Sequence, residues 1–99
     1  MKIDKTKQES KLVIELEGRL DTTTAPQLEE ALKGELEGIT SLVMDFKKLE
    51  YISSAGLRIL LSTQKKMNKQ GKMVIQGVND VVQEVFDMTG FSDILTIEK

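Results

Sequence analysis

From residue 11 to residue 20 the chain alternates: Leu12, Ile14, Leu16, Gly18 and Leu20 fall on one side of an extended backbone, and Val13, Glu15, Glu17 and Arg19 on the other. Successive side chains of a strand point to opposite faces, so this spacing predicts a half-buried β-strand. Residues 1–8 carry β-compatible side chains in a weaker pattern, and Glu9-Ser10 is a polar break suited to a hairpin, which makes the first segment an edge strand. SLVMDF (41–46) is apolar without alternation except for Asp45, the pattern of a central strand covered on both faces. Met73-Val74-Ile75 reads as another buried strand, and 94–97 as a short last one.

Between these strands the apolar period becomes helical. After Asp21, the run Thr22-Thr23-Thr24-Ala25-Pro26 offers a threonine cap, a proline for the first turn, and Gln27 three residues after Thr24, as in a capping box. Ala25, Leu28, Ala31, Leu32 and Leu36 continue the spacing to Gly38, with Gly34 weakening the last turns. A second helix over 54–69 sets Leu57, Leu60, Leu61 and Gln64 on one side. It ends in Lys65, Lys66 and Lys69, where cations suit the helix dipole, before Gly71. A third starts at a cap of Asn79 or Asp80, turns Val82, Val85, Phe86 and Thr89 inward, and stops at Gly90. The element order predicts one α/β domain over residues 1–99: a mixed β-sheet in which an N-terminal hairpin is followed by alternating helices and strands.

Composition narrows the function. The chain has 99 residues, enough for a single core, and 39% hydrophobic with 30% charged residues places it among folding sequences. A net charge of -2 and few aromatic side chains supply neither a field nor a stacking platform for nucleic acid, so no direct nucleic-acid partner is expected. No apolar stretch approaches the roughly 20 residues of a membrane span, and the charged start does not read as a secretory signal. A cytoplasmic protein with no membrane partner is the expectation.

The absence of cysteine and histidine removes disulfides, thiol catalysis, thiolate metal sites and the usual general base. Neither metal nor cofactor is expected. Asp21, Asp45 and Asp87 lie near element ends at spacings that match no glycosidase pair and no metal cluster, so turn or cap roles account for them. Asp45 also lacks the early acidic pair that a receiver-type phosphoacceptor requires. An enzyme is the least supported class.

Ser53-Ser54-Ala55-Gly56-Leu57 raises a sharper question. It lacks the lysine and the spacing of a phosphate-binding loop. Serine is a good helix cap, and a capped helix accounts for both hydroxyls. Glycine in a first turn, however, costs about 1 kcal/mol against alanine unless something needs the room. On this reading Ala55 and Gly56 let another surface approach the backbone. A serine hydroxyl there is also open to phosphorylation, its added charge tolerated by the helix's positive end, and Arg58 one turn on is placed to hold a phosphate or a partner's carboxylate. Capping and switching both remain open from the residues alone.

The stretch Tyr51-Ile52-Ser53-Ser54-Ala55-Gly56-Leu57, preceded by Leu42-Val43-Met44-Asp45-Phe46, resembles the core motif of STAS domains, the anti-sigma factor antagonists. The resemblance extends to Gly18-Arg19-Leu20-Asp21, to Gly77, and to Val85-Phe86-Asp87-Met88-Thr89-Gly90-Phe91, so it covers nearly the whole chain. It implies a bacterial partner-switching regulator of transcription. The dephosphorylated domain would bind an anti-sigma factor that is also a serine kinase, a GHKL-type ATPase similar to histidine kinases, and so release the sigma factor. Phosphorylation by that kinase would reverse this, and a serine phosphatase would reset the cycle.

In the family the phosphorylated serine lies two residues before the Gly-Leu pair, here Ser54, with Ser53 as the rival acceptor. The aspartate after the Gly-x-Leu pattern, here Asp21, lies on the same surface in the family and supports kinase recognition. The residues and the resemblance together give an expected partner-binding surface of Asp21, Thr22, Thr23, Ser53, Ser54, Ala55, Gly56 and Arg58. The chain departs from the family where Ser53 replaces a frequent acidic residue and where Ala55 lacks a hydroxyl that some relatives keep. The alternative is an interaction or ligand-sensing module of the same fold without a phosphorylation cycle.

Overall fold

The computed structural model describes residues 1–98. The alternation of the first two strands folds as its period predicts: β1 (Lys2–Gln8) and β2 (Lys11–Leu20) pair antiparallel, with Gln8 opposite Lys11 and Glu9 at φ 57° in the turn. The chain continues through α1 (Ala25–Leu32), β3 (Ser41–Ile52), α2 (Ser54–Asn68), β4 (Lys72–Gln76), α3 (Asp80–Thr89), one 3₁₀ turn (Phe91–Asp93) and β5 (Ile97–Glu98). The strands lie in the order β1-β2-β3-β4-β5, parallel from β2 onward, with β3 central as expected.

One face of this sheet makes the core. Leu12, Ile14 and Leu16 of β2, Leu42, Met44 and Phe46 of β3, and Met73 and Ile75 of β4 are almost completely buried. They form one cluster with Leu28 and Leu32 of α1, Leu57, Leu60 and Met67 of α2, and Val82 and Phe86 of α3. Residues of opposite parity, Val13, Val43 and Val74, are only half-buried and stand outside that cluster. The expectation that β3 is covered on both faces is thus corrected: its apolar run has one side packed against the helices and one side without helical cover.

Other boundaries also move. β3 runs on to Ile52, because beyond Phe46 it keeps pairing with β2 through Lys48, Leu49, Tyr51 and Ile52, across shifts in register. The first helix ends at Leu32, not near Gly38: Lys33 is extended and Gly34 takes φ +75°, while Leu36 and Ile39 still reach the core from the loop. Thr24 does not cap α1 with its side chain. The last strand is only Ile97–Glu98, since Phe91–Asp93 forms the 3₁₀ turn and Leu95 is buried after it. Asn79 caps α3, accepting from the Val82 amide at 2.8 Å while its own amide donates to Leu49 O at 3.0 Å.

Gly71 shows how tightly the loops close on this frame: a Cβ there would lie 2.0 Å from Thr40 O. The neighbouring Lys72 amide donates to that same carbonyl at 3.0 Å, so the backbone cannot retreat without breaking a bond at the start of β4. Gly71→Ala should therefore destabilise the domain by about 1–3 kcal/mol, as overpacking does; a urea melt with an unchanged midpoint would contradict this account.

Candidate functional site at the carboxyl ends of β2 and β3

Parallel pairing brings the two stretches of the predicted surface together. Arg19 is the register partner of Tyr51 and Leu20 that of Ile52, and the Ser53 amide donates to Leu20 O at 2.9 Å. The chain then leaves β2 at Asp21 and β3 at Ser53, side by side, at the carboxyl end of the parallel strands where α/β sheets commonly bind ligands. Asp21, Thr22 and Thr23 thus neighbour Ser53 and Ser54, although Asp21 and Ser53 are 32 positions apart in the chain.

The β2–α1 loop is shaped by Asp21. Its carboxylate accepts from the amides of Thr23 at 3.0 Å and Thr24 at 3.1 Å, and Arg19 Nε stands 3.9 Å from its other oxygen. Thr24 Oγ1 accepts from the Asp21 amide at 2.9 Å and donates to Arg19 O at 2.7 Å, which explains why it is not free to cap the helix. The bond from the Thr24 amide is the chief influence holding the Asp21 carboxyl below its ordinary pKa; the Thr23 amide, the Thr24 hydroxyl and Arg19 add to it, against some opposing desolvation. Thr22 and Thr23 are left exposed.

The two serines differ in a way the sequence does not reveal. Ser53, in extended backbone at φ -104° and ψ 177°, is the N-cap residue of α2, but its side chain makes no capping bond. Its Oγ is buried and has no hydrogen-bond partner among the described residues. Ser54, the first residue of the helix, is exposed. A kinase needs an accessible hydroxyl, and Ser54 offers one where Ser53 does not.

Gly56 corrects the expectation that its small size serves an incoming surface. It is buried, and a Cβ there would lie 2.7 Å from Leu20 Cγ and 2.9 Å from Ile52 Cγ1. The space is filled from inside by the side chains that join β2 and β3. Ala55, by contrast, is half-buried beside Ser54. Arg58 is exposed and in no ion pair among the described residues, and with Glu29, Glu30 and Lys66 it lines a groove of about 380 Å³ between α1 and α2.

Sequence reasoning missed Arg19 and Tyr51. The Arg19 guanidinium carbon lies 4.7 Å from the Tyr51 ring centroid, a cation–π contact that holds the arginine over β3 and beside Asp21. Only the register pairs them. The other candidate carboxylates serve the frame: Asp45 is buried, accepts from the Lys47 amide at 3.0 Å and pairs with Lys47 Nζ at 3.6 Å. Asp87 accepts from Gln83 and from Ser92 of the 3₁₀ turn. Among the described residues no group of three or more acidic side chains is placed to hold a metal ion, and no helix is long and apolar enough to cross a membrane.

A mixed five-stranded sheet carrying helices on one face, with an exposed serine at the start of α2, defines the class. The chain belongs to the STAS domain family, whose model matches residues 2–99. The Bordetella bronchiseptica protein BtrV, described as an anti-sigma factor antagonist, is 35% identical over 98% of this chain and 85% of its own length. The anti-sigma-B factor antagonist of Staphylococcus aureus is 29% identical over 100% and 94%. The phosphorylated form of the Bacillus cell fate determinant SpoIIAA shares the fold, with a TM-score of 0.75 at 17% identity over 99% of this chain and 92% of that one. The resemblance read from the sequence is confirmed at the level of family and fold.

Two outcomes follow for the site. Gly56→Ala should lower stability by about 1–3 kcal/mol, read from denaturant midpoints, because Leu20 and Ile52 are themselves fully buried and cannot step aside. Asp21 titrates lower in the fold than in the unfolded chain, so its stabilising effect is complete above the ordinary carboxylate value near 4 and disappears as the pH falls through the depressed one. The amide shifts of Thr23 and Thr24 should therefore titrate together with a midpoint below about 4, and a midpoint at the ordinary value would refute the assigned bonds.

Proposed function

We propose that this protein is an anti-sigma factor antagonist whose unphosphorylated form docks on an anti-sigma factor with serine-kinase activity and releases the sigma factor, and that phosphorylation of Ser54 ends the docking. The observation that carries this reading is the contrast between the exposed Ser54 and the buried, unpartnered Oγ of Ser53, beside the Asp21 loop. Support comes from the relatives, which are described as anti-sigma factor antagonists, and from the Bacillus neighbour, known in a phosphorylated form.

The chemistry asks nothing catalytic of this chain. A kinase transfers the terminal phosphoryl group of ATP to Ser54 Oγ; the Oγ–P bond forms, the P–O bond to ADP breaks, and the serine proton passes to a base of the kinase. Ser54 is the first residue of α2, and the N-cap residue Ser53 makes no side-chain capping bond. Its free amides and positive end tolerate a phosphate charge of about -1.5 to -2, so the fold survives modification. The partner surface meets the new charge next to Asp21, which is held ionised, and the docked complex is lost. The kinase, a GHKL-type ATPase, and a serine phosphatase complete the cycle in the cytoplasm.

Incubation with ATP and an extract of the source cells, followed by mass spectrometry, should place one phosphate on Ser54. The label should vanish in Ser54→Ala and persist in Ser53→Ala, with Ser54→Ala losing at most about 1 kcal/mol of stability. Label on Ser53, or an unmodified chain under every growth condition, would overturn this reading in favour of a module without a phosphorylation cycle.

A further inference from the structure

The sheet has a second face that the proposed switch does not use. Parallel sheets almost always carry cover on both sides, yet here all three helices join one buried cluster, and Val13, Val43 and Val74 stand on the opposite side, half-buried and outside it. The three valines are register partners on adjacent strands, Val13 with Val43 and Val43 with Val74, so they form a continuous apolar row across the middle of the sheet.

Charge flanks that row asymmetrically. Two residues toward the amino ends of β2 and β4, on the same face, stand Lys11 and Lys72, with Ser41 between them. Two residues toward the carboxyl ends stand Glu15, Asp45 and Gln76, extended by Asp4 on β1 and Glu98 on β5. Lys47 already pairs with Asp45, which leaves Asp4, Glu15 and Glu98 as the acids of this row in no ion pair among the described residues. Lys11, Lys72 and Glu15 are exposed and in no ion pair among the described residues.

This arrangement is self-complementary. A two-fold axis lying along the valine row sets a second copy face to face with its strands reversed, so that valines meet valines. Lys11 of each copy then stands over Glu15 of the other, and Lys72 over Gln76 with acids on both flanking strands. A two-fold axis along the strands would instead oppose lysine to lysine, which fixes the orientation. We infer that the open face of the sheet is an isologous interface for a second copy of this chain, centred on Val43.

The size sets the strength. Strands spaced about 4.8 Å and rising about 3.3 Å per residue give a face of roughly 400 Å² per partner, below the approximately 800 Å² of a standard stable interface, so the dimer is weak and concentration-dependent. Reversed strands also place the two Ser54 ends at opposite poles, so dimerisation leaves both switch surfaces open.

Sedimentation equilibrium of the unmodified full chain from micromolar to millimolar concentration, with circular dichroism to confirm folding, tests this directly. The weight-average mass should rise toward twice the monomer mass, Val43→Lys should hold it at the monomer value, and Lys11→Glu and Glu15→Lys should each do the same. An equimolar mixture of these two charge variants should recover the dimer, because each contact again joins opposite charges. A chain that stays monomeric throughout, or a dimer untouched by Val43→Lys, or a mixture that fails to associate, overturns the proposal. None of these outcomes depends on whether Ser54 is phosphorylated.

Discussion

The hydrogen bond from the Ser53 amide to Leu20 O, 2.9 Å long, is the contact on which the candidate site depends. It extends the β2–β3 ladder past the last strand residues and fixes where both chains leave the sheet. Below it, Leu20 and Ile52 fill the space that Gly56 vacates. Backbone pairing and side-chain packing therefore set the same relation between the Asp21 loop and the start of α2. A larger residue at 56 would push the helix away from the ladder, and the two halves of the surface would lose register together.

That constraint also explains why the two serines differ in exposure. Ser53 must be extended to continue the ladder and donate to Leu20, and this directs its hydroxyl inward, where it finds no acceptor. A buried hydroxyl without a partner costs free energy, so alanine at 53 would be tolerated on packing grounds alone. Ser54 is already helical and sits outside the ladder, so its hydroxyl is exposed. The difference in exposure thus comes from backbone geometry and not from any difference in side-chain chemistry.

Much of this was legible in the residues because period and punctuation are local. The alternation of 11–20, the helical spacing of Leu57, Leu60 and Gln64, and the left-handed Gly90 that closes α3 all act over one or two turns of chain. What escaped depends on pairing at a distance. The continuation of β3 to Ile52 follows from its partner strand, and the Arg19–Tyr51 contact exists only in one register. The threonine run read as a cap because Thr24 is suitably placed; Asp21 and the Arg19 carbonyl compete for its hydroxyl and win. Gly56 illustrates the same limit: the local pattern showed that something needs room there, but not that Leu20 supplies it.

The proposed switch at Ser54 need not move the fold. Ser54 is exposed, its hydroxyl makes no hydrogen bond among the described residues, and the helix it begins is held by Leu57, Leu60 and Met67 in the core. In the proposed switch, adding a phosphate would break no hydrogen bond among the described residues, so the free energy of modification would be expressed at the partner's surface. A hundredfold loss of affinity corresponds to about 2.7 kcal/mol, and placing a dianion beside an ionised aspartate in a docked, water-poor contact is an interaction of that order.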